Sequence, residues 1–324
     1  MNESNPRSRS PYLLALAERV LVFDGAMGTS IDTFHLTAED YGGAATEGCR
    51  DYLVVTRPDV IGQIHTSFLE AGSDVVETCT FQATRLRLAE WGLAERTLEI
   101  NRCGAEVARR ACEAQTAKDG RPRFVAGSVG PTGKLPSSSD PELSNITFDE
   151  LVTLFEEQAQ ALIVGSVDLL LIETSQDILE VKAAIVGCKQ AIAAANRPIA
   201  LQVQVTLDPS GRMLLGTDVA SALTTIEAMN VDVVGLNCST GPEHMREPVS
   251  YLTSHTNLPV SCLPNAGLPL NVDGEAVYPL EPEAMAQALR DFVLNLGVRV
   301  VGGCCGSRPA HIRQIAQAVR KEGN

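Results

Sequence analysis

The sequence predicts a single α/β domain folded as a (β/α)₈ (TIM) barrel, and three observations indicate this fold. Eight short, β-branched apolar runs alternate along the chain with segments of helical spacing. Several of those runs stop at glycine, cysteine or acidic residues, and the length of 324 residues suits one such barrel. An open, doubly wound sheet would give the same alternation because a sequence does not display closure, and it is the structural alternative.

The eight predicted strands are short runs rich in valine, leucine and isoleucine, as expected for strands buried on both faces of a parallel sheet. They cover residues 20–23, 74–81, 123–128, 167–172, 198–205, 231–238, 259–263 and 298–301. Glycine-containing loops follow the first, third and seventh of them, at residues 24–29, 129–133 and 264–269. In barrels, the loops after the strands are where active sites are built.

Segments between the predicted strands have their apolar residues at the spacing of a helix. The predicted helices cover residues 11–19, 59–71, 85–117, 147–165, 177–195, 218–229 and 283–296. The long third segment is interrupted near Trp91-Gly92, since glycine disfavours a helix interior. Thr147, with Glu150 three residues later, fits a capping box and marks the start of the fourth helix.

The composition excludes several classes of function. The formal net charge is −14 and no basic run occurs, which argues against nucleic acid as a partner. No apolar stretch approaches the roughly 18 residues of a membrane span, and the polar N-terminus lacks the apolar segment of a signal peptide. Nine scattered cysteines are unlike the paired cysteines of a small secreted scaffold. We therefore expect a cytoplasmic protein with no membrane partner.

Two adjacent cysteines follow the last predicted strand, in the stretch Val298-Arg-Val-Val-Gly-Gly-Cys-Cys-Gly306. In a regular strand neighbouring side chains point to opposite faces, so Cys304 and Cys305 would not reach one point in space. We expect the flanking glycines at 302, 303 and 306 to adopt backbone angles closed to other residues and so turn both sulfur atoms inward. We favour a metal site; a vicinal disulfide or a pair of buried thiols is the alternative.

Cys238 is the best candidate for a third sulfur ligand, because it ends the sixth predicted strand in the same way. A barrel delivers the C-terminal ends of all its strands to one face, so Cys238, Cys304 and Cys305 are expected to converge there. Three thiolates leave one tetrahedral position open, which is typical of a catalytic zinc site, and soft thiolate ligands favour zinc. Asn265 follows the seventh predicted strand, between the two halves of this expected site.

Six motifs in combination resemble the homocysteine-binding domain of the zinc-dependent homocysteine S-methyltransferases. They are Asp24-Gly-Ala-Met-Gly-Thr29, Glu77-Thr-Cys-Thr-Phe81, Gly130-Pro-Thr132, Gly235-Leu-Asn-Cys238, Pro264-Asn-Ala-Gly267 and Gly302-Gly-Cys-Cys-Gly306. The resemblance extends from about residue 12 to residue 320, and the Pro-Asn-Ala-Gly form is most similar to the N-terminal module of the cobalamin-dependent methionine synthases. It implies a zinc barrel that activates the thiol of homocysteine for methylation.

Carried over by position, the resemblance implies that the zinc ligands are Cys238, Cys304 and Cys305. Asn265 is a candidate fourth ligand in the absence of substrate, or else it only fixes the Pro-Asn-Ala-Gly turn. One position departs from the family: Cys79 stands where asparagine is expected, which leaves open a competing thiol near the site.

The same face would also bind the amino-acid end of homocysteine. By resemblance, Asp24 and Glu173 are the expected partners of its ammonium group, and Glu77 is a weaker choice. The amides of Gly25 and Ala26, in the first glycine loop, could receive its carboxylate.

The predicted organisation is a flexible N-terminal segment, residues 1–11, followed by a homocysteine-binding barrel domain, residues 12–322. No segment is left over for a cobalamin or folate domain. We therefore expect a first module, excised or naturally separate, that works with cobalamin- and folate-binding modules in cis or in trans. The expected product is methionine, and the expected methyl source is methylcobalamin bound on another module.

Three alternatives stay open at this point. The first is a stand-alone homocysteine S-methyltransferase that takes its methyl group from S-methylmethionine, S-adenosylmethionine or betaine. The second is a module that binds homocysteine and zinc but is inactive without a partner domain. The third is a protein in which the thiolates and zinc are purely structural.

Overall fold

In the computed structural model, which describes residues 10–272 and 274–320, eight parallel strands form one sheet. These strands are β1 (Leu21–Val22), β2 (Val75–Glu77), β3 (Phe124–Val129), β4 (Leu169–Ser175), β5 (Ala200–Val205), β6 (Val233–Asn237), β7 (Val260–Leu263) and β10 (Val300–Val301). They are hydrogen bonded in the order β1-β10-β7-β6-β5-β4-β3-β2. A separate antiparallel hairpin, β8 (Leu270–Val272) with β9 (Glu275–Val277), follows β7.

The two ends of the parallel sheet meet. A parallel bridge pairs Phe23, just after β1, with Val75 of β2, and the amide of Asp74 donates to the carbonyl of Val22 at 2.7 Å. Each strand of the sheet therefore has a neighbour on both sides. The single (β/α)₈ barrel predicted from the sequence is confirmed, and the open sheet is not formed.

Helices cover the outer side of the barrel, and the first of them closes its N-terminal end. They are α1 (Pro11–Glu18), α2 (Met27–Asp32), α3 (Leu53–Thr56), α4 (Pro58–Ala71), α5 (Arg85–Ala89), α6 (Thr97–Asp119), α7 (Phe148–Val164), α8 (Ile178–Ala194), α9 (Val219–Ala228), α10 (Pro242–His255), α11 (Pro282–Asp291) and α12 (Pro309–Arg320). A π-helical turn at Phe292–Leu296 continues α11. Within the described part of the chain, none of these helices has both the length and the apolar character needed to cross a membrane.

Most predicted elements lie close to their observed positions. The break near Trp91-Gly92 separates α5 from α6, and the capping box of Thr147 and Glu150 begins α7. Helices α2, α3, α10 and α12 and the β8–β9 hairpin lie outside the predicted elements. The predicted flexible segment, residues 1–11, falls mainly on residues 1–9, which lie outside the described residues, and Pro11 already begins α1.

The first helix, α1, closes the N-terminal end of the barrel. Its Tyr12 is fully buried among the inward-facing side chains of the strands and donates a hydrogen bond to Gln202 Oε1 at 2.6 Å. Inward-facing residues alternate along each strand; on β4, Leu169 and Leu171 lie in this inner core and Glu173 follows on the same side. The opposite, C-terminal end of the barrel is therefore where polar side chains can gather around an open site.

Asp74 ties several elements together at the N-terminal end of the barrel. Its carboxylate is fully buried and forms ion pairs with Arg19, Arg121 and Arg320 at 2.9 to 3.0 Å. We expect Asp74→Asn to lower the free energy of unfolding by about 3 kcal/mol or more, because three arginines lose the one buried charge they share. Urea denaturation followed by circular dichroism measures this change.

A matched control is the exposed pair of Arg102 and Glu106 on α6, 3.5 Å apart. Glu106→Gln should change the free energy of unfolding by less than about 0.5 kcal/mol, since both side chains are well solvated. Equal effects of the two substitutions would contradict the role given to Asp74.

Candidate active site

Three thiols converge at the C-terminal end of the barrel. Cys238 follows β6, Cys304 and Cys305 follow β10, and β7 lies between those two strands. All three are free thiols; their sulfur atoms lie within 4.8 Å of one another, and the Sγ atoms of Cys238 and Cys305 are 3.8 Å apart. In a tetrahedral site with Zn–S bonds of about 2.3 Å, sulfur atoms are about 3.8 Å apart. The three thiols therefore fit a zinc ion in both spacing and chemistry.

The turn that carries Cys304 and Cys305 is held by hydrogen bonds from its backbone amides. The amide of Cys304 donates to the carbonyl of Pro264 at 2.8 Å, and the amide of Gly303 donates to the carbonyl of Asp24 at 3.1 Å. The amide of Cys305 donates to Oδ1 of Asn265 at 3.1 Å. Asn265 thus fixes the backbone of a thiol-bearing residue, and direct ligation of a metal by its side chain stays a prediction.

The three glycines around the cysteine pair act in two different ways. Gly306 has a φ of +77°, in the left-handed region that favours glycine. Gly302 and Gly303 do not have positive φ, so the expectation of unusual backbone angles at these two positions is wrong. They are required for space: a Cβ atom on Gly303 would lie 2.3 Å from Ser307 Oγ, and one on Gly302 would lie 2.8 Å from Phe23 Cβ.

Cys238 reaches the other two thiols from a sharp turn after β6. Cys238 has a φ of +60° and Ser239 a φ of +64°, which is unusual for residues with side chains. Such conformations cost roughly 1 to 3 kcal/mol each and persist where the surroundings hold them. Here the amide of Cys238 donates to the carbonyl of Leu263 at 3.1 Å, and the amide of Thr240 donates to the carbonyl of Cys238 at 2.7 Å.

The thiols are electrostatically coupled. Hydrogen bonds from Cys238 and Cys304 lower the pKa of Cys305 to about 3. The same kind of contact, together with burial, raises the pKa of Cys304 well above its ordinary value. A divalent ion bound by all three sulfur atoms would favour their thiolate forms.

A group of three carboxyl groups lies at the same end of the barrel, at the ends of β1, β2 and β4. Asp24 and Glu173 are only 2 % and 5 % exposed. Burial raises the pKa of Asp24 and of Glu77 well above the ordinary range, and repulsion from Glu173 adds to both shifts. The amide of Glu77 donates to Asp24 Oδ2 at 3.1 Å, whereas Asp24 Oδ1 is buried and accepts no hydrogen bond from the described residues. Such a group favours a cationic ligand.

Glu173 is the most extensively bonded of the three. Ser128 Oγ donates to its Oε1 at 2.5 Å, and Asn237 Nδ2 donates to its Oε2 at 3.1 Å. Burial raises the pKa of Glu173 to about 7, an effect that the hydrogen bond from Ser128 partly opposes. Glu173 is therefore divided between its neutral and charged forms near neutral pH.

The first glycine loop lies against the loop that follows the cysteine pair. The amide of Ala26 donates to both Oγ and the carbonyl of Ser307 at 3.2 Å, so this donor already has a protein partner. At Gly25, an added Cβ would lie 2.7 Å from Ser307 Oγ. The predicted role of these two amides in binding a carboxylate stays a prediction, and for Ala26 it would require exchange of the bond to Ser307.

Cys79, the position that departs from the family pattern, does not join the three thiols. Its Sγ donates to the carbonyl of Arg50 at 3.5 Å, and the buried thiol has a pKa raised well above its ordinary value by burial and by the nearby Asp51. Cys262 faces the outer core, where its thiol contacts Met245 Sδ at 3.7 Å. Among the described residues, the cluster with metal-ligand spacing contains only Cys238, Cys304 and Cys305.

Several polar residues that orient this site are not among those predicted from the sequence. Ser128 donates a hydrogen bond to Glu173, and Ser307 accepts one from the first glycine loop. Asn237 contacts both Glu173 and Cys304. Asn237 belongs to the Gly235-Leu-Asn-Cys238 motif and Ser307 lies two positions after Cys305, whereas Ser128 ends a predicted strand and carries no such signal.

Comparisons with known proteins relate this chain to homocysteine methyltransferases. Residues 21–319 match the family model described as homocysteine S-methyltransferase. The chain is 42 % identical over 304 residues to the methionine synthase of Mycobacterium tuberculosis (strain ATCC 25618 / H37Rv), and 41 % identical over 309 residues to that of Mycobacterium leprae (strain TN). These matches cover 94 % and 95 % of the chain but 25 % of each relative, so the chain spans a quarter of their length.

Two solved structures of the Escherichia coli homocysteine methyltransferase MmuM have the same fold. The metallated form superposes with a TM-score of 0.74 at 22 % identity, and the oxidized form with 0.73 at 23 % identity. Both matches cover 97 % of this chain and 99 % of the MmuM chain. Because the family model spans nearly the whole barrel, the chain belongs to the homocysteine S-methyltransferase family.

Proposed function

We propose that this barrel binds homocysteine and, with zinc, activates its thiol for methyl transfer to give methionine, as the homocysteine module of a cobalamin-dependent methionine synthase. The observation that carries the proposal is the pairing of a three-thiol cluster with a three-carboxylate group at one end of the barrel. The first suits a soft metal and a sulfur ligand, and the second suits an ammonium group. Homocysteine carries a thiol and an ammonium group on one short chain.

Cys238, Cys304 and Cys305 would hold the zinc ion, and their spacing supports this role. When bound, the zinc ion would lower the pKa of the substrate thiol and keep it as a nucleophilic thiolate at neutral pH. The three cysteine thiolates supply negative charge around that position, which preserves the nucleophilicity of the substrate sulfur. Asn265 holds the Cys305 backbone, and we retain it as a candidate fourth ligand in the absence of substrate.

Asp24, Glu77 and Glu173 would bind the ammonium group of homocysteine. Asp24 Oδ1 supports this assignment because it is a buried carboxylate oxygen that accepts no hydrogen bond from the described residues. A bound ammonium ion would relieve the repulsion among the three carboxylates and favour their charged forms. The amides of Gly25 and Ala26 are the candidate donors to the substrate carboxylate.

The methyl group would come from methylcobalamin on another module. The chain spans 25 % of the length of its mycobacterial relatives, which are described as methionine synthases and extend well beyond the matched segment. This coverage supports cobalamin- and folate-binding modules as partners in cis or in trans. The open end of the barrel is the face that such a partner would approach.

A stand-alone methyltransferase is the second candidate. MmuM is a homocysteine methyltransferase whose chain is matched over 99 % of its length by this barrel alone. Donor assays separate the two candidates: turnover of homocysteine with S-methylmethionine, S-adenosylmethionine or betaine in the absence of cobalamin would favour the stand-alone enzyme. Methyl transfer from methylcobalamin above the uncatalysed rate would support the methionine synthase module. The same result would exclude a binding module that is inactive without a partner domain.

The direct test of thiol activation is X-ray absorption at the zinc edge, recorded on the zinc-loaded protein with and without homocysteine. We expect one additional sulfur neighbour at about 2.3 Å, replacing an oxygen or nitrogen neighbour, because three thiolates leave one position open. Homoserine has the same amino-acid end but a hydroxyl in place of the thiol, and should not add a sulfur. Failure to bind zinc, or four sulfur neighbours that homocysteine does not disturb, would overturn the proposal.

A further inference from the structure

Asn237, the last residue of β6, lies between the carboxylate group and the thiols. It is 1 % exposed. Its Nδ2 atom donates to Glu173 Oε2 at 3.1 Å and to Thr174 Oγ1 at 2.8 Å, and lies 4.0 Å from Cys304 Sγ in hydrogen-bonding geometry. One amide group therefore contacts both the candidate anchor of the substrate ammonium group and a candidate zinc ligand.

The orientation of this amide is fixed by its surroundings. The amide of Thr174 donates to Asn237 Oδ1 at 2.7 Å, so the oxygen faces the backbone of β4 and the NH₂ group must face Glu173 and Cys304. The backbone is held as well, because Thr206 Oγ1 donates to the carbonyl of Asn237 at 2.7 Å. The reverse orientation would place two acceptors, Asn237 Oδ1 and the Glu173 carboxylate, against each other.

Asn237 also stands between two strained positions of the backbone. Thr174 has a φ of +56° and Cys238 a φ of +60°. The side chain of Asn237 accepts a hydrogen bond from the amide of Thr174, and Asn237 directly precedes Cys238 in the chain. Non-glycine residues keep such angles only where several contacts determine them, and these conformations concentrate at functional sites. The Asn237 side chain is one of those contacts for the turn at Thr174.

We propose that Asn237 is a positioning residue that couples the two halves of the site, so that the anchor for the ammonium group and the metal-binding thiols keep one fixed separation. This inference rests on the proposed function, because it assigns the two halves to the two ends of homocysteine. A substrate whose two ends bind at once needs the two subsites at a set distance, and misplacement by about 1 Å can cost on the order of a hundredfold in rate.

Asparagine suits this position for a chemical reason. Its NH₂ group carries two donors that face three acceptors, the Glu173 carboxylate, the Thr174 hydroxyl and the Cys304 sulfur, while its oxygen accepts from the amide of Thr174. Aspartate has nearly the same shape and could still accept from Thr174, but it would bring a further negative charge against Glu173 and the thiolates. Asn237→Asp therefore removes the donors while keeping the bond that supports the turn, and Asn237→Ala removes both.

The test compares cobalt-substituted protein carrying Asn237→Ala, Asn237→Asp or Thr206→Val with the unsubstituted chain. We expect the two Asn237 variants to lose roughly ten- to a hundredfold in affinity for Co²⁺, as is usual for groups that support metal ligands. Their sulfur-to-cobalt absorption bands should shift, because the N–H donor to Cys304 is gone. Thr206→Val removes a bond to the backbone of Asn237 and leaves its amide in place, so it should change affinity and spectrum little.

Coupling is measured by combining Asn237→Ala with Glu173→Gln and titrating homocysteine into the metal-loaded protein by calorimetry. Each single substitution is expected to lower homocysteine affinity by some factor. If Asn237 couples the subsites, the factor for the double variant should be at least about threefold smaller than the product of the two single factors. Multiplicative losses, or an unchanged cobalt spectrum in a variant that still melts cooperatively, would overturn the inference. The proposed function fails separately, on measurements of the unsubstituted chain: failure to bind zinc, failure of the metal-loaded chain to bind homocysteine, or a metal shell that homocysteine does not disturb.

Discussion

Replacement of Cys304 by serine is expected to abolish methyl transfer to homocysteine and to reduce zinc affinity by more than about a hundredfold. Loss of groups that merely support ligands costs ten- to a hundredfold, and loss of a thiolate ligand should cost more. The effect should be large because the sulfur of Cys304 lies within 4.8 Å of the other two, and its removal leaves only two sulfur ligands for the metal. Zinc content after dialysis and competition with a chromophoric chelator measure the change.

Cys103→Ser is a suitable control for the loss of a thiol. Cys103 lies half-buried on α6, outside the three-thiol cluster. Its substitution should leave zinc content and homocysteine turnover within about a factor of two, since a helix-packing thiol contributes little beyond its own contacts. A Cys304→Ser protein that keeps one zinc per chain and turns over homocysteine at a comparable rate would refute the assignment of the metal ligands.

Glu173→Gln is expected to weaken homocysteine binding by roughly ten- to a hundredfold, because hydrogen bonds to charged groups contribute about 1.5 to 3 kcal/mol. It should also change the pH dependence. The pKa of Glu173 is raised from 4.5 to about 7, so homocysteine binding to the unsubstituted chain should strengthen as the pH rises through about 7 and the carboxylate becomes charged. Glutamine does not titrate, and the part of this dependence due to Glu173 should disappear. Calorimetry from pH 6 to about pH 8 tests both statements.

The same shift affects folding in the opposite direction. A carboxyl group whose pKa is higher in the folded chain binds more protons there than when unfolded. Its contribution to stability is therefore complete below about pH 4.5 and is lost as the pH rises through about 7. Without ligand, the unsubstituted chain should lose stability over this range, and Glu173→Gln should lose less.

Glu180 provides a matched comparison for Glu173. Burial also raises the pKa of Glu180 to about 7, but its carboxylate accepts from the amide and hydroxyl of Thr132 and lies outside the group of Asp24, Glu77 and Glu173. Glu180→Gln should alter the pH dependence of stability and leave homocysteine affinity within about a factor of two. If both substitutions weakened binding equally, Glu173 would have no special role in recognition.

The sequence was sufficient to predict which residues converge. In a parallel barrel the strand ends share one face, so apolar runs ending at Cys238 and before Cys304 place those thiols together without knowledge of any contact. Asp24, Glu77 and Glu173 also stand at strand ends, but Asp24 and Glu173 are chosen by resemblance to the family, with Glu77 as the weaker choice; the structure brings their carboxyl groups into one electrostatic group. Topology therefore locates the face of the site, and the resemblance selects the acidic residues on it.

The contacts that orient the site could not be predicted in this way. Asn237 meets Glu173 and Cys304, which lie 64 and 67 positions away in the chain, and those pairings depend on strand register. The sequence predicts unusual backbone angles at Gly302 and Gly303, whereas the structure requires their small size. Their close packing against Phe23 and Ser307 is a tertiary contact that local sequence does not reveal. Local sequence carries no signal for either.

The missing elements have local reasons. The β8–β9 hairpin consists of two three-residue strands whose Leu270, Val272 and Val277 are largely exposed, so no buried face produces a strand pattern. Helix α10 contains Pro248 in its interior, which weakens the helical signal of the segment. In both cases the tertiary setting, and not propensity, decides the conformation.

The last repeat of the barrel would depend on a bound metal ion for part of its stability. The last repeat of the chain enters the sheet through β10, a strand of only two residues, and a metal ion held jointly by Cys238 and Cys304 would fasten it to β6 across β7. Metal binding of this kind adds to the free energy that keeps a segment folded. Zinc would then contribute to the stability of the C-terminal repeat as well as to activity, and loss of the ion would make local unfolding of this repeat more frequent.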